Sequence, residues 1–258
     1  MTEKATGTDT FRAILVLTAT IGTIIFNYLA AMGHIGGVTP AEISDKYPTL
    51  LTPAGYAFSI WSLIYLGLVA FSIYQLLPAN IARFRNLRSL YIISAALNCA
   101  WIYFWHRDDI AICLALITAL LISLFLINLK LMQFDGIGDF WAAKAPFGIY
   151  FGWVTAATLV NFMITLAYWG VELSDTTRQV LAISLILLAA ALGVIVRFRM
   201  ANYLYPLAIA WALTAIAVRQ SGQTLLVAAA ALGVVMCLIA TLSLVVNLPG
   251  SDRRAVND

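Results

Sequence analysis

The chain has 258 residues, of which 62% are apolar and only 10% charged, with a mean hydropathy of +0.93. A soluble domain holds roughly 45–50% apolar and about 25% charged residues, so these proportions exclude a water-soluble globule and indicate an integral membrane protein. The formal net charge of +3 is spread as single basic residues between apolar runs, which excludes the gathered basic face of a nucleic-acid binder.

A spanning helix needs about 20 mostly apolar residues. Taken in chain order, runs that approach this length fall at 12–33, 54–77, 89–106, 110–133, 146–169, 179–197, 203–219 and 223–247. The first continues past the roughly 7–15 residues of a signal-peptide core and reads as a true span. The third and seventh are the shortest. Only "HRDD" (His106 to Asp109) separates the third from the fourth, so these two are expected to be antiparallel neighbours. Barrel-type alternation is absent, and backbone groups in hydrocarbon must pair internally, so the expected fold class is an all-α transmembrane bundle.

Eight spans place Lys4, Arg12, Arg83, Arg85, Arg88, Lys130, Lys144, Arg197, Arg199, Arg253 and Arg254 on the side of the N-terminus. Lys46, Arg107, Arg178 and Arg219 fall on the other side. By the positive-inside rule this asymmetry predicts both termini in the cytoplasm. A bacterial cytoplasmic (inner) membrane is the expected location.

Soluble-enzyme motifs are missing: there is no phosphate loop, no HExxH and no serine elbow. Cys99, Cys113 and Cys237 have neither disulfide nor metal-site spacing. Ionisable residues are rare in the spans, which lowers the expectation of a proton-coupled or ion-coupled carrier. Asparagines stand there instead, at 27, 98, 128 and 161, and each alone is most simply interhelical glue.

Helical spacing sharpens some of them. Asn98 and Trp101 are three apart, with Trp105 four further on; Trp153, Ala157 and Asn161 fall four apart; Phe58, Trp61 and Tyr65 share a face of the second segment. Trp141, Trp169, Tyr203 and Tyr205 lie near segment ends and read as an interfacial belt. His34 and His106 end the first and third segments and offer imidazoles that could ligate haem iron, although helix-end histidines facing water are the simpler expectation.

"TPAGYAFSIWSLIYLGL" (Thr52 to Leu68), "LNCAW" (Leu97 to Trp101) and "APFGIYFGWVTAATLVNF" (Ala145 to Phe162) resemble, in order, motifs of the tryptophan-rich sensory protein family. This is also called the translocator protein or peripheral benzodiazepine receptor family (TspO). The resemblance covers about the first 168 residues. It implies a five-helix bundle that binds porphyrins, sterols or aromatic drugs beneath a loop joining its first two helices. Carried over by motif, the pocket would be lined by Trp61, Tyr65, Asn98, Trp101, Trp153, Ala157 and Asn161. The roof would be the segment from His34 to Pro53, with Tyr47 or Leu50 and Leu51 reaching toward the pocket. Residues 1–169 would form the five-helix domain, and 170–258 a three-helix extension packed on its outside.

Besides the three added helices, two features depart from that family. A sterol-contact pattern after Tyr168 needs Lys or Arg within about five residues, and the first is Arg178. The N-inside orientation is opposite to that expected of bacterial members. The sequence thus predicts a receptor, sensor or transporter for a tetrapyrrole-like or other hydrophobic aromatic ligand. Porphyrin or haem would be that ligand, and no cofactor is required. Membrane lipid is an expected partner, nucleic acid is not, and a homodimer stays open. The alternatives are a secondary transporter of another small molecule, a porphyrin-degrading membrane enzyme, and a structural role for the extra helices.

Overall fold

The computed structural model describes residues 5–246, so Lys4, Arg253 and Arg254 of the charge comparison lie outside it. Its elements are α1 (Gly7–Ala31), the short α2 (Pro40–Lys46), a 3-10 turn (Gly55–Ser59) leading into α3 (Ile60–Tyr74), α4 (Arg88–His106) and α5 (Ile110–Leu131). A single turn, α6 (Ile137–Asp139), continues through the π-helical Phe140–Lys144 into α7 (Ala145–Tyr168). The chain closes with α8 (Asp175–Met200), α9 (Tyr205–Arg219) and α10 (Thr224–Val246).

Each of the eight expected segments holds one long helix. Six are long and apolar enough to cross a membrane, and α4 and α9 are the two that are not. Helix α9 has 15 residues, about 22 Å at 1.5 Å per residue, against a hydrocarbon core of about 30 Å. Helix α4 carries Arg88, Asn98 and His106 among its 19 residues.

Helix α1 shows why the bundle forms in lipid. Its outer face exposes Phe11, Ile14, Ile21 and Ile25, whereas its buried face holds Asp9, Thr20, Thr23 and Asn27. Apolar surface gains nothing by leaving lipid, so association rests on packing and on hydrogen bonds between helices. The amides supply many of these bonds. Asn27 donates to Asn98 Oδ1 at 2.7 Å and Asn98 donates to Tyr150 Oη at 3.0 Å, tying α1, α4 and α7. Asn202 donates to Asn128 Oδ1 at 2.7 Å, while Asn128 donates to Phe147 O at 3.2 Å.

Helices α1, α4, α5, α7 and α3 pack each on the next in a closed ring. Helices α8, α9 and α10 pack on one another, and α9 lies against α7. The seam between α7 and α9 is very close: a Cβ on Gly152 would stand 2.4 Å from Tyr205 O and 2.9 Å from Ala208 Cβ. Tyr205 is therefore not a belt residue. It is 1% exposed and donates to Thr155 Oγ1 at 2.9 Å, whereas Trp141 and Trp169, 62% and 61% exposed, do stand on the outer surface.

The basic residues sort by end. Arg85 and Arg88 pair with Asp9, Arg83 with Asp139, and Lys144 with Asp135; Lys46 pairs with Asp108, Arg219 with Asp45 and Arg178 with Asp175. Each of these pairs stays within one set, and the two sets lie at opposite ends of the helices. The HRDD turn is tight as expected, with Asp108 at φ 65.

Candidate functional site

The second set of charges marks the end where the chain from 32 to 54 folds back over the bundle. This roof begins in a glycine-rich turn. Gly36, at φ 69, packs where a Cβ would lie 3.1 Å from His106 O, so glycine is needed there for both conformation and room. Helix α2 follows from strong local signals: Thr39 caps it, Pro40 starts it, and Glu42 accepts from the Thr39 N–H at 2.7 Å. The Thr39 backbone N–H, then its hydroxyl, holds the Glu42 carboxyl below the usual carboxylate range.

Both flanks of the roof are tied down. On one, Lys46 and the Tyr47 hydroxyl, at 2.9 Å for the latter, engage Asp108, and Trp105 Nε1 donates to Pro40 O at 3.1 Å. The Asp108 carboxylate, through its hydrogen bond, raises the Lys46 ammonium above its ordinary range. On the other flank the ties go to α9. Ala54 N–H donates to Ala215 O at 3.0 Å, Gln220 Nε2 to Thr49 O at 3.0 Å, Arg219 pairs with Asp45 at 2.9 Å, and Trp211 Nε1 donates to Ala57 O at 3.0 Å.

Beneath the roof lies an aromatic cluster. Tyr65, Trp61, Trp101 and Trp105 form a run of rings with centroids 5.6, 6.4 and 5.5 Å apart and interplanar angles of 18°, 31° and 24°. Trp153 stands edge-on to Trp61 at 6.3 Å and to Phe58 at 6.1 Å, and Tyr150 is edge-on to Trp61 at 5.7 Å. These are the offset and edge-to-face arrangements that the ring quadrupole favours, each contributing about 0.5–1.5 kcal/mol beyond area burial.

A cavity of about 30 Å³ remains among them. Its wall includes Trp61, Trp101, Trp153, Ala157 and Asn161 from the expected set. Asn161 Oδ1 accepts from Trp101 Nε1 at 3.3 Å. The other two expected residues are not in the wall: Tyr65 is stacked behind Trp61, and Asn98 is engaged with Asn27 and Tyr150. The roof reaches the cavity through Ser44 and Pro53, not through Tyr47, Leu50 or Leu51. Tyr47 is turned toward Asp108 and Tyr168, and Leu51 is buried elsewhere in the core.

Sequence reasoning also missed Ala212 and Ile216, which bring α9 into the wall. Their only signal was apolar spacing, shared with every other helix. Two buried polar atoms of wall residues, Ser44 Oγ and Trp153 Nε1, have no hydrogen-bond partner among the described residues. His106, at the end of α4, keeps its Nε2 buried with no hydrogen-bond partner among the described residues. Its Nδ1 lies 2.7 Å from Ile102 O, and no group of three or more metal-ligating side chains occurs among the described residues.

A family model for TSPO-like protein matches residues 13–244, a range that includes α8, α9 and most of α10. No curated protein and no solved structure matches the chain. The match spans most of the chain, from α1 to α10, in agreement with the all-helical fold and the motifs of the aromatic cluster, and the chain belongs to the TSPO-like protein family.

Proposed function

We propose that this membrane protein is a receptor, sensor or transporter for flat apolar ligands of the tetrapyrrole-like kind, taken into the aromatic cluster beneath the roof. The observation that supports this most is the convergence of rings from α3, α4 and α7 on one cavity, closed by α2 and α9. Ring faces suit a flat apolar body, and Asn161 offers a polar group at the wall.

The cavity is about 30 Å³, roughly a tenth of the smallest usual ligand pocket. The closed arrangement therefore excludes a macrocycle, and the rings stack on one another where a ligand would stack on them. Entry requires the roof to lift and Trp61 or Trp153 to turn, with ring-to-ligand contacts replacing ring-to-ring contacts. We place the protein in a bacterial cytoplasmic membrane with both termini inside, on the strength of the charge asymmetry between the two ends.

The direct test is titration of the purified protein with protoporphyrin, followed by tryptophan fluorescence. Saturable quenching that Trp153→Leu weakens and Trp169→Leu leaves intact is the expected result. Quenching that does not saturate, or that both variants weaken equally, would remove the ligand from this cavity.

A further inference from the structure

One turn nearer the end of the molecule, along the same seam, lies a far larger space. A groove of about 820 Å³ runs between the roof at Pro48, Thr49 and Leu50, the end of α7 at Met163, Leu166 and Ala167, the start of α8 and the end of α9. It follows the closed cavity directly: Val160 of α7 and Ile216 of α9 line the cavity, and Met163 and Arg219 line the groove. Its volume lies within the roughly 300–1,000 Å³ of ordinary small-molecule sites.

The lining is two-natured. Leu50, Met163, Leu166 and Ala167 make an apolar floor, whereas Arg178, Arg219, Gln179, Gln220 and Gln223 make a polar rim. The rim holds two guanidinium groups and one carboxylate, Asp175. Each arginine already has a carboxylate partner, Arg178 with Asp175 and Arg219 with Asp45. Both pairs are solvent-exposed, with the four side chains between 44% and 93% accessible. Exposed pairs of this kind contribute little, so an incoming anion can take over a guanidinium without losing much. Arginine's planar fork suits a carboxylate or phosphate in particular.

We infer that this groove is a second binding site, specific for amphipathic anions: an apolar chain or ring lies on α7 and an acidic head sits between Arg178 and Arg219. The site is distinct from the aromatic cavity, and it is built largely from residues beyond the motifs of the five-helix ring. It lies at the end of the bundle, where α7 and α9 stop and α8 begins, so the acidic head comes either from a bilayer lipid or from a free acid.

The experiment uses the full chain in nanodiscs and dansyl-undecanoate as the probe, with its methyl ester and empty discs as references. The acid is expected to bind and the ester not. Arg178→Gln with Arg219→Gln is expected to weaken the acid at least tenfold. Asp45→Asn breaks the same ion pair but leaves the guanidinium free, so it should bind the acid as well as or better than the parent. Weakening by Asp45→Asn as severe as that by the double variant would mean that the roof, not the charge, matters, and would overturn the proposal. So would equal binding of acid and ester. Trp153→Leu separates the two sites: it should leave acid binding within about twofold even where porphyrin binding fails. Weaker acid binding in phosphatidylglycerol discs than in phosphatidylcholine discs, each corrected against empty discs of the same lipid, assigns the head site to an anionic lipid headgroup as well, whereas equal binding assigns it to the free acid.

Discussion

Trp61 is in contact with four rings, those of Tyr65, Trp101, Tyr150 and Trp153, whereas Trp153 is in contact with two, Trp61 and Phe58. The two tryptophans should therefore answer differently to truncation. Trp61→Ala removes the centre of the cluster and is expected to cost about 3–5 kcal/mol, the range for large aromatic deletions in a packed core, seen as a lowered thermal midpoint in detergent. Trp153→Leu keeps α7 apolar and removes one wall of the cavity together with an indole N–H that has no partner among the described residues. Its thermal midpoint should change less, while porphyrin affinity falls about tenfold, equal to roughly 1.4 kcal/mol. A Trp153→Leu protein as destabilised as Trp61→Ala would show that the indole serves the fold alone. The spacing of Trp61, Trp101 and Trp153 was legible in the sequence because helical periodicity places such residues on known faces. The separation of Asn98 from Asn161 was not: both sit on aromatic stripes, and only the positions of Asn27 and Tyr150 on other helices decide that Asn98 is engaged in the bundle's interior.

Among the elements, the roof and the α7–α9 seam carry consequences of their own. Helix α2 has only seven residues, too few to persist without its cap. The Thr39 N–H bond holds the Glu42 carboxyl low, so ionised Glu42 stabilises the cap. For a carboxylate with a lowered folded-state pKa, that stabilisation is present above the ordinary value of 4.5 and is lost as pH falls through the folded-state value. Limited proteolysis between residues 33 and 54 should accordingly speed up on acidification below about pH 4.5, and Glu42→Gln should remove most of that dependence. An unchanged pH profile in Glu42→Gln would show that another group loosens the roof. At the seam, even the methyl of Gly152→Ala would strike the backbone of α9 at Tyr205. The variant is expected to lose about 1–3 kcal/mol, the usual cost of overpacking, and to lose porphyrin binding with it, because Ala212 and Ile216 move with α9. Normal binding in a destabilised Gly152→Ala protein would show that the α9 wall is dispensable.

For the molecule as a whole, the long helices were legible as apolar runs, but six of the eight, not all, have the length and apolarity that lipid demands, because α9 is short and α4 carries polar residues. The route of the roof was not legible. Its ties are single hydrogen bonds and ion pairs between residues far apart in the chain, such as Arg219 with Asp45 and Gln220 with Thr49, and no local pattern announces them. Those ties join the roof to both halves of the fold, to the α4–α5 turn on one flank and to α9 on the other, across a cavity too small for a ligand as it stands. On the proposed function, opening breaks one flank first. The Lys46–Asp108 contact joins an exposed side chain to a half-buried one, 54% and 35% accessible, whereas the Ala54–Ala215 bond joins backbone to backbone. The α4–α5 flank is the one expected to release. A short thiol-reactive crosslinker joining Lys46→Cys to Asp108→Cys, in a Cys99→Ser background, should then slow both association and dissociation of porphyrin by tenfold or more in stopped-flow fluorescence. The uncrosslinked double variant should associate at least as fast as the parent. If the crosslinked protein exchanges ligand at the parent's rate, the roof does not lift from that flank, and ligand reaches the aromatic cluster by way of α9 instead.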